Sequence, residues 1–159
     1  RRQRQMCIRD RINRKMKHKG AIMEYSKERM DDLMRAYDEY ISSCDYIRMS
    51  EVYKIIVNMP SRRFWVSDIR AALIISAMMR GKTDLSTMCP LKKEMYEEIY
   101  NRVFKLQEEC PELTISELCA KVIAQPAPKF YLTPGSAKVM VCKARKQWIQ
   151  EKWKRLRLL

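Results

Sequence analysis

Basic side chains carry the most concentrated chemistry in this chain. Within residues 1–20, Arg1, Arg2, Arg4, Arg9, Arg11, Arg14, Lys15, Lys17 and Lys19 stand against a single acid, Asp10. A second group closes the chain, with Lys138, Lys143, Arg145, Lys146, Lys152, Lys154, Arg155 and Arg157 set against Glu151. Between them, Arg62 and Arg63 precede Phe64-Trp65, and Lys129 precedes Phe130-Tyr131. Cationic groups crowded in this way repel one another. A polyanion relieves that repulsion most simply, through phosphate contacts and counterion release. The pattern therefore points to nucleic acid, DNA ahead of RNA. A solvated tail, or an arm docking on an acidic protein or structured RNA within a larger assembly, is the competing reading.

The charge is segregated. The chain has 159 residues, with 33 Lys and Arg against 19 Asp and Glu, a net charge of +14. The two terminal segments carry +8 and +7, which leaves −1 for residues 21–137. At 47% hydrophobic residues the body has enough apolar material for a core, so wholesale disorder is excluded. Only 3 Gly are present, too few for a turn-rich β-sandwich or a glycine-rich phosphate loop. No run of apolar residues is long enough to span a membrane. Trp148 and Trp153 lie five positions apart, about 140° around a helix, so they do not build one membrane-insertion face. The first twenty residues lack the apolar centre of a secretory signal, and a chain that begins with Arg reads as trimmed or partial.

Catalytic and metal chemistry are not expected, and neither is a cofactor. Cys7, Cys44, Cys89, Cys110, Cys119 and Cys142 are scattered without a close pair, and His18 is the only histidine. Zinc requires three or four such ligands converging. Scattered cysteines without an export signal read instead as small, reduced, buried residues of an intracellular protein. His18 lies within the basic arm and reads as a solvated or phosphate-contacting group. Asp31-Asp32, Glu97-Glu98 and Glu108-Glu109 fall on polar faces of amphipathic helices, where adjacent carboxylates diverge by about 100°. That divergence argues against a two-metal nuclease.

The elements that must position the basic groups are helices. Residues 26–44 place Met30, Leu33, Met34, Tyr37, Tyr40 and Ile41 at helical spacing, with Ser26 as N-cap. Residues 90–109 repeat the pattern, opened by Pro90 and closed by Pro111. Short helices are predicted over 50–58 and 114–124, the latter with a capping box from Thr114 to Glu117. Two more are predicted over 67–80, started by Ser67 and ended by Gly81, and over 133–156, started by Thr133-Pro134. No segment alternates with period two, so the fold class is all-α.

The chain also repeats internally. Laying Ser50 over Ser116 and keeping that offset aligns the halves without a gap. Glu51/Glu117, Pro60/Pro126, Phe64/Phe130 and Ala71/Ala137 then coincide, and Arg63/Lys129, Trp65/Tyr131 and Ser67/Thr133 match in chemistry. A tandem arrangement follows: a basic arm over 1–25, a three-helix unit over 26–81, a linker over 82–91, a second unit over 92–146 and a basic extension over 147–159. The shared motif runs from proline through a basic residue and two aromatics to a hydroxyl that caps the next helix. Its aromatics read as pins for the connector, with base stacking by Trp65 or Tyr131 as the alternative.

Each unit runs long helix, short helix, connector, capped third helix, and this order resembles the three-helix core of helix-turn-helix DNA-binding domains. A basic arm ahead of such a unit also resembles the homeodomain arrangement. The resemblance implies a third helix in the major groove and an arm in the minor groove. It departs from those families in the connectors, Pro60–Val66 and Pro126–Leu132, which exceed a three- or four-residue turn. The helix over 67–80 is too apolar to read bases and is expected in the core. The expected nucleic-acid face thus comprises the second unit, the C-terminal extension, the arm, and Arg62, Arg63 and Lys129.

Overall fold

The computed structural model describes residues 25–82 and 87–156. Within them six helices follow one another: α1 (25–42), α2 (Met49–Ile56), α3 (Asp68–Met79), α4 (Pro90–Glu109), α5 (Ile115–Ile123) and α6 (Pro134–Leu156). Among the described residues there is no β-strand, and the all-helical class holds.

Local rules account for the helix ends. The Ser67 hydroxyl accepts from the Arg70 N–H at α3, and Thr114 forms the full capping box with Glu117 at α5. The Thr133 hydroxyl accepts from the Ser136 N–H at 3.2 Å to start α6. Gly81, at φ +63°, ends α3 in the left-handed conformation that costs glycine least. One expected cap fails: α1 is already helical at Tyr25, so Ser26 lies inside the helix rather than at its start.

The cores do not follow the chain order. One gathers Leu33, Ala36 and Tyr37 of α1, Val52, Tyr53 and Ile56 of α2, and Ala137 and Val141 of α6, with Phe130 beside them. The other gathers Ala71, Ile74 and Ile75 of α3, Met95, Ile99 and Val103 of α4, and Leu118, Val122 and Ile123 of α5, with Phe64 among them. The stretches 26–81 and 92–146 are therefore not self-contained units, because each sends its third helix to the other's long and short helices. The extended connectors explain this. They are long enough to carry helix three across to the other pair.

The two connectors cross as an isolated antiparallel bridge. Ser61 and Ala127 exchange N–H to carbonyl bonds in both directions, each 2.9 Å. On either side, the Phe64 N–H donates to the Ile123 carbonyl and the Phe130 N–H to the Val57 carbonyl, both at 3.0 Å. Every one of these bonds has its counterpart at the equivalent position of the other half. Arginines of the long helices brace the same crossing. Arg35 donates to the Pro60 carbonyl at 3.1 Å and Arg102 to the Pro126 carbonyl at 2.9 Å.

Candidate nucleic-acid interface

α6 changes character along its length. Its first turns bury Ala137 and Val141 against α1 and α2. Beyond them, every residue from Arg145 to Leu156 is exposed. Seven Lys and Arg lie on this helix, Lys138, Lys143, Arg145, Lys146, Lys152, Lys154 and Arg155, against one acid, Glu151. Arg145 also donates to the Tyr37 hydroxyl at 3.4 Å, which ties the root of the overhanging segment to α1. Within it Trp148 is 63% exposed and Trp153 61%, and the Lys152 Nζ lies 5.2 Å from the Trp148 ring centroid.

The connector bases each have a partner in the body. Arg62 reaches the Asp32 carboxylate at 3.6 Å, and its backbone N–H donates to the same group at 2.9 Å. The Arg63 guanidinium lies over the rings of Tyr25 and Trp65, 5.1 and 5.8 Å from their centroids. Lys129 pairs with Glu94 and lies over Tyr131. Arg63 and Lys129 are thus half-buried and engaged with the connectors, whereas the Arg62 side chain stays 67% exposed despite its contact with Asp32. Arg1, Arg2, Arg4, Arg9, Arg11, Arg14, Lys15, Lys17, Lys19 and Arg157 lie outside the described residues.

Asp32 departs most from expectation. Expected on a solvated face, it is 1% exposed and accepts from the Ser61 hydroxyl at 3.0 Å, the Arg62 N–H at 2.9 Å and the Arg35 guanidinium at 2.9 Å. Ser61 in turn accepts from the Trp65 indole N–H at 2.7 Å. A buried carboxylate demands such partners. Its role here is to hold the crossing of the connectors, since Ser61 belongs to the bridge. Glu98, the equivalent of Asp32 in the second half, accepts from Arg102 at 2.7 Å on the other side.

Comparison with family models, curated proteins and solved structures finds no match. The geometry must stand alone. No group of three or more potential metal ligands converges among the described residues. A surface depression of about 400 Å³ is lined by Tyr100, Asn101, Phe104 and Lys105, and this lining holds no acid–base pair. Among the cysteines, Cys119 is fully buried and burial pushes its thiol up to about 11, whereas Cys89 and Cys142 are exposed, against the expectation of burial. Among the described residues no helix is long and apolar enough to cross a membrane.

α3 corrects a further expectation. Ala71, Ile74 and Ile75 are buried as foreseen, but Ile69 and Leu73 are exposed, so the helix covers the core with one face only. Sequence reasoning also passed over the apolar spacing of Ile149, Trp153 and Leu156, an i, i+4, i+7 set that lies wholly exposed on α6.

Proposed function

We propose that this chain is a non-enzymatic nucleic-acid-binding protein, with DNA as the favoured ligand and α6 as its contact element. The observation that carries the reading is the overhanging half of α6, where cations outnumber acids and the side chains stand free of the body. Phosphate contacts from these groups supply affinity without sequence readout. We further read the two halves as duplicated three-helix units that have exchanged their third helices, a reading supported by the reciprocal bonds between equivalent positions of the halves. Likeness to helix-turn-helix domains enters only through the order of elements in each half. The body then acts as a rigid base, and regulatory, architectural and accessory roles are all compatible with it.

The test is binding of labelled DNA across a salt series. Affinity should fall steeply as salt rises. Replacing Lys143, Lys146, Lys152 and Lys154 with Gln should reduce the logarithmic salt slope by about 3. A chain starting at residue 25 should still bind, because α6 is intact. Absence of binding at about 50 mM salt, where phosphate contacts are strong, overturns the proposal. A second reading has one observation in its favour. Ile149, Trp153 and Leu156 would suit an acidic amphipathic helix of a protein partner, and it predicts no DNA binding at any salt concentration.

A further inference from the structure

Resting on that reading, we infer that the outer half of α6 takes single-stranded DNA, stacking unpaired bases on Trp148 and Trp153. The contrast with the third tryptophan motivates the inference. Trp65 is half-buried and its indole N–H donates to Ser61, which identifies it as a structural pin. Trp148 and Trp153 are 63% and 61% exposed and pack against no core. Large aromatic surface left in water on a cationic helix is the composition of a base-stacking platform.

Placement of the charges selects the kind of strand. Arg145, Trp148, Lys152 and Arg155 follow at i, i+3, i+7 and i+10 and share one face of the helix. An indole thus stands between cations set roughly 4.5 to 6 Å along the axis to either side. Trp153 stands about 140° further round, beside Ile149 and Leu156. A strand that uses both rings must wind about the helix. A flexible single strand can do so and can offer each base face to an indole. A duplex is stiff, with a persistence length of about 50 nm, and keeps its bases stacked inside. A partner helix would cover a single stripe, whereas Lys143, Lys146, Lys152, Lys154 and Arg155 are distributed around the circumference, as contact with a wrapped polyanion requires.

The experiment measures binding of the full chain to three labelled probes of equal length: oligothymidylate, a duplex, and an abasic deoxyribose-phosphate oligomer. Oligothymidylate should bind about tenfold or more tightly than either of the others, since stacking adds to phosphate contacts only where unpaired bases exist. Trp148→Ala with Trp153→Ala should abolish that preference while the salt slope and the helical content stay unchanged. Trp148→Phe with Trp153→Phe should restore much of it. Equal binding of all three probes, or a preference that survives the double alanine variant, overturns stacking but leaves the electrostatic reading of α6 in place. No binding to any probe at low salt overturns both.

Discussion

Ser61 and Ala127 bond each other reciprocally through their backbones, N–H to carbonyl in both directions at 2.9 Å. They lie in the two connectors, and from their crossing α3 passes to the core of α4 and α5 while α6 passes to the core of α1 and α2. The all-helical body is thus closed by a pair of bonds that belong to no helix.

Asp32 holds that crossing from one side. Its carboxylate is buried and bonded to Ser61, the Arg62 backbone and Arg35. Asp32→Ala should destabilise the fold by about 2–4 kcal/mol, because it leaves buried donors without an acceptor. Denaturant unfolding checks this. A cost within experimental error would mean that water replaces the carboxylate without loss.

Because α3 packs on α4 and α5, and α6 on α1 and α2, the two halves of the chain depend on each other. Expressed separately, residues 25–82 and 87–156 should not form folded monomers, since α3 and α6 then lose the helices they pack against. Mixing them should restore the helical signal and a cooperative transition. A half that is folded and monomeric at low concentration would show that its third helix can close on its own pair.

Thiol reactivity should separate the cysteines. Cys89 and Cys142 are exposed and should react quickly with a maleimide. Cys119 is buried with its thiol held up to about 11, so it should react only on unfolding. Peptide mapping after a short pulse distinguishes them, and early label on Cys119 would contradict the packing of α5.

Tyr131 predicts the alkaline limit of stability. Burial, reinforced by the carboxylates of Glu98 and Glu94, pushes its phenol up to about 12 from an ordinary 10.0. The folded state therefore holds this proton more tightly than the unfolded state does. The resulting stabilisation is present below pH 10 and lost as pH rises from there toward 12. Tyr131→Phe should make the fall in stability over this range shallower, with Tyr96 and Tyr53, also raised by burial, accounting for part of the remainder. The tyrosinate absorbance band and alkaline unfolding curves measure both effects.

Much of the local structure was legible before any fold was known. Pro90 opens α4, Ser67 and Thr114 cap α3 and α5, and Gly81 ends α3 where expected, because each depends on backbone groups within one turn. The candidate site was only half legible. Arg63 and Lys129 look as free in sequence as Lys143 or Lys154, since nothing local reveals that Tyr25 and Glu94 lie across from them.

By itself, then, the sequence determined the helical class, most helix limits and the concentration of cations on α6, all consequences of periodicity, capping and composition. Only the tertiary structure decided which core each third helix enters, that Asp32 is buried, and that the second half of α6 stands clear of the body. The physical reason is that these outcomes rest on packing between residues far apart in the chain, as where α3 meets α4 and α5 and α6 meets α1 and α2, and no local pattern encodes such contacts.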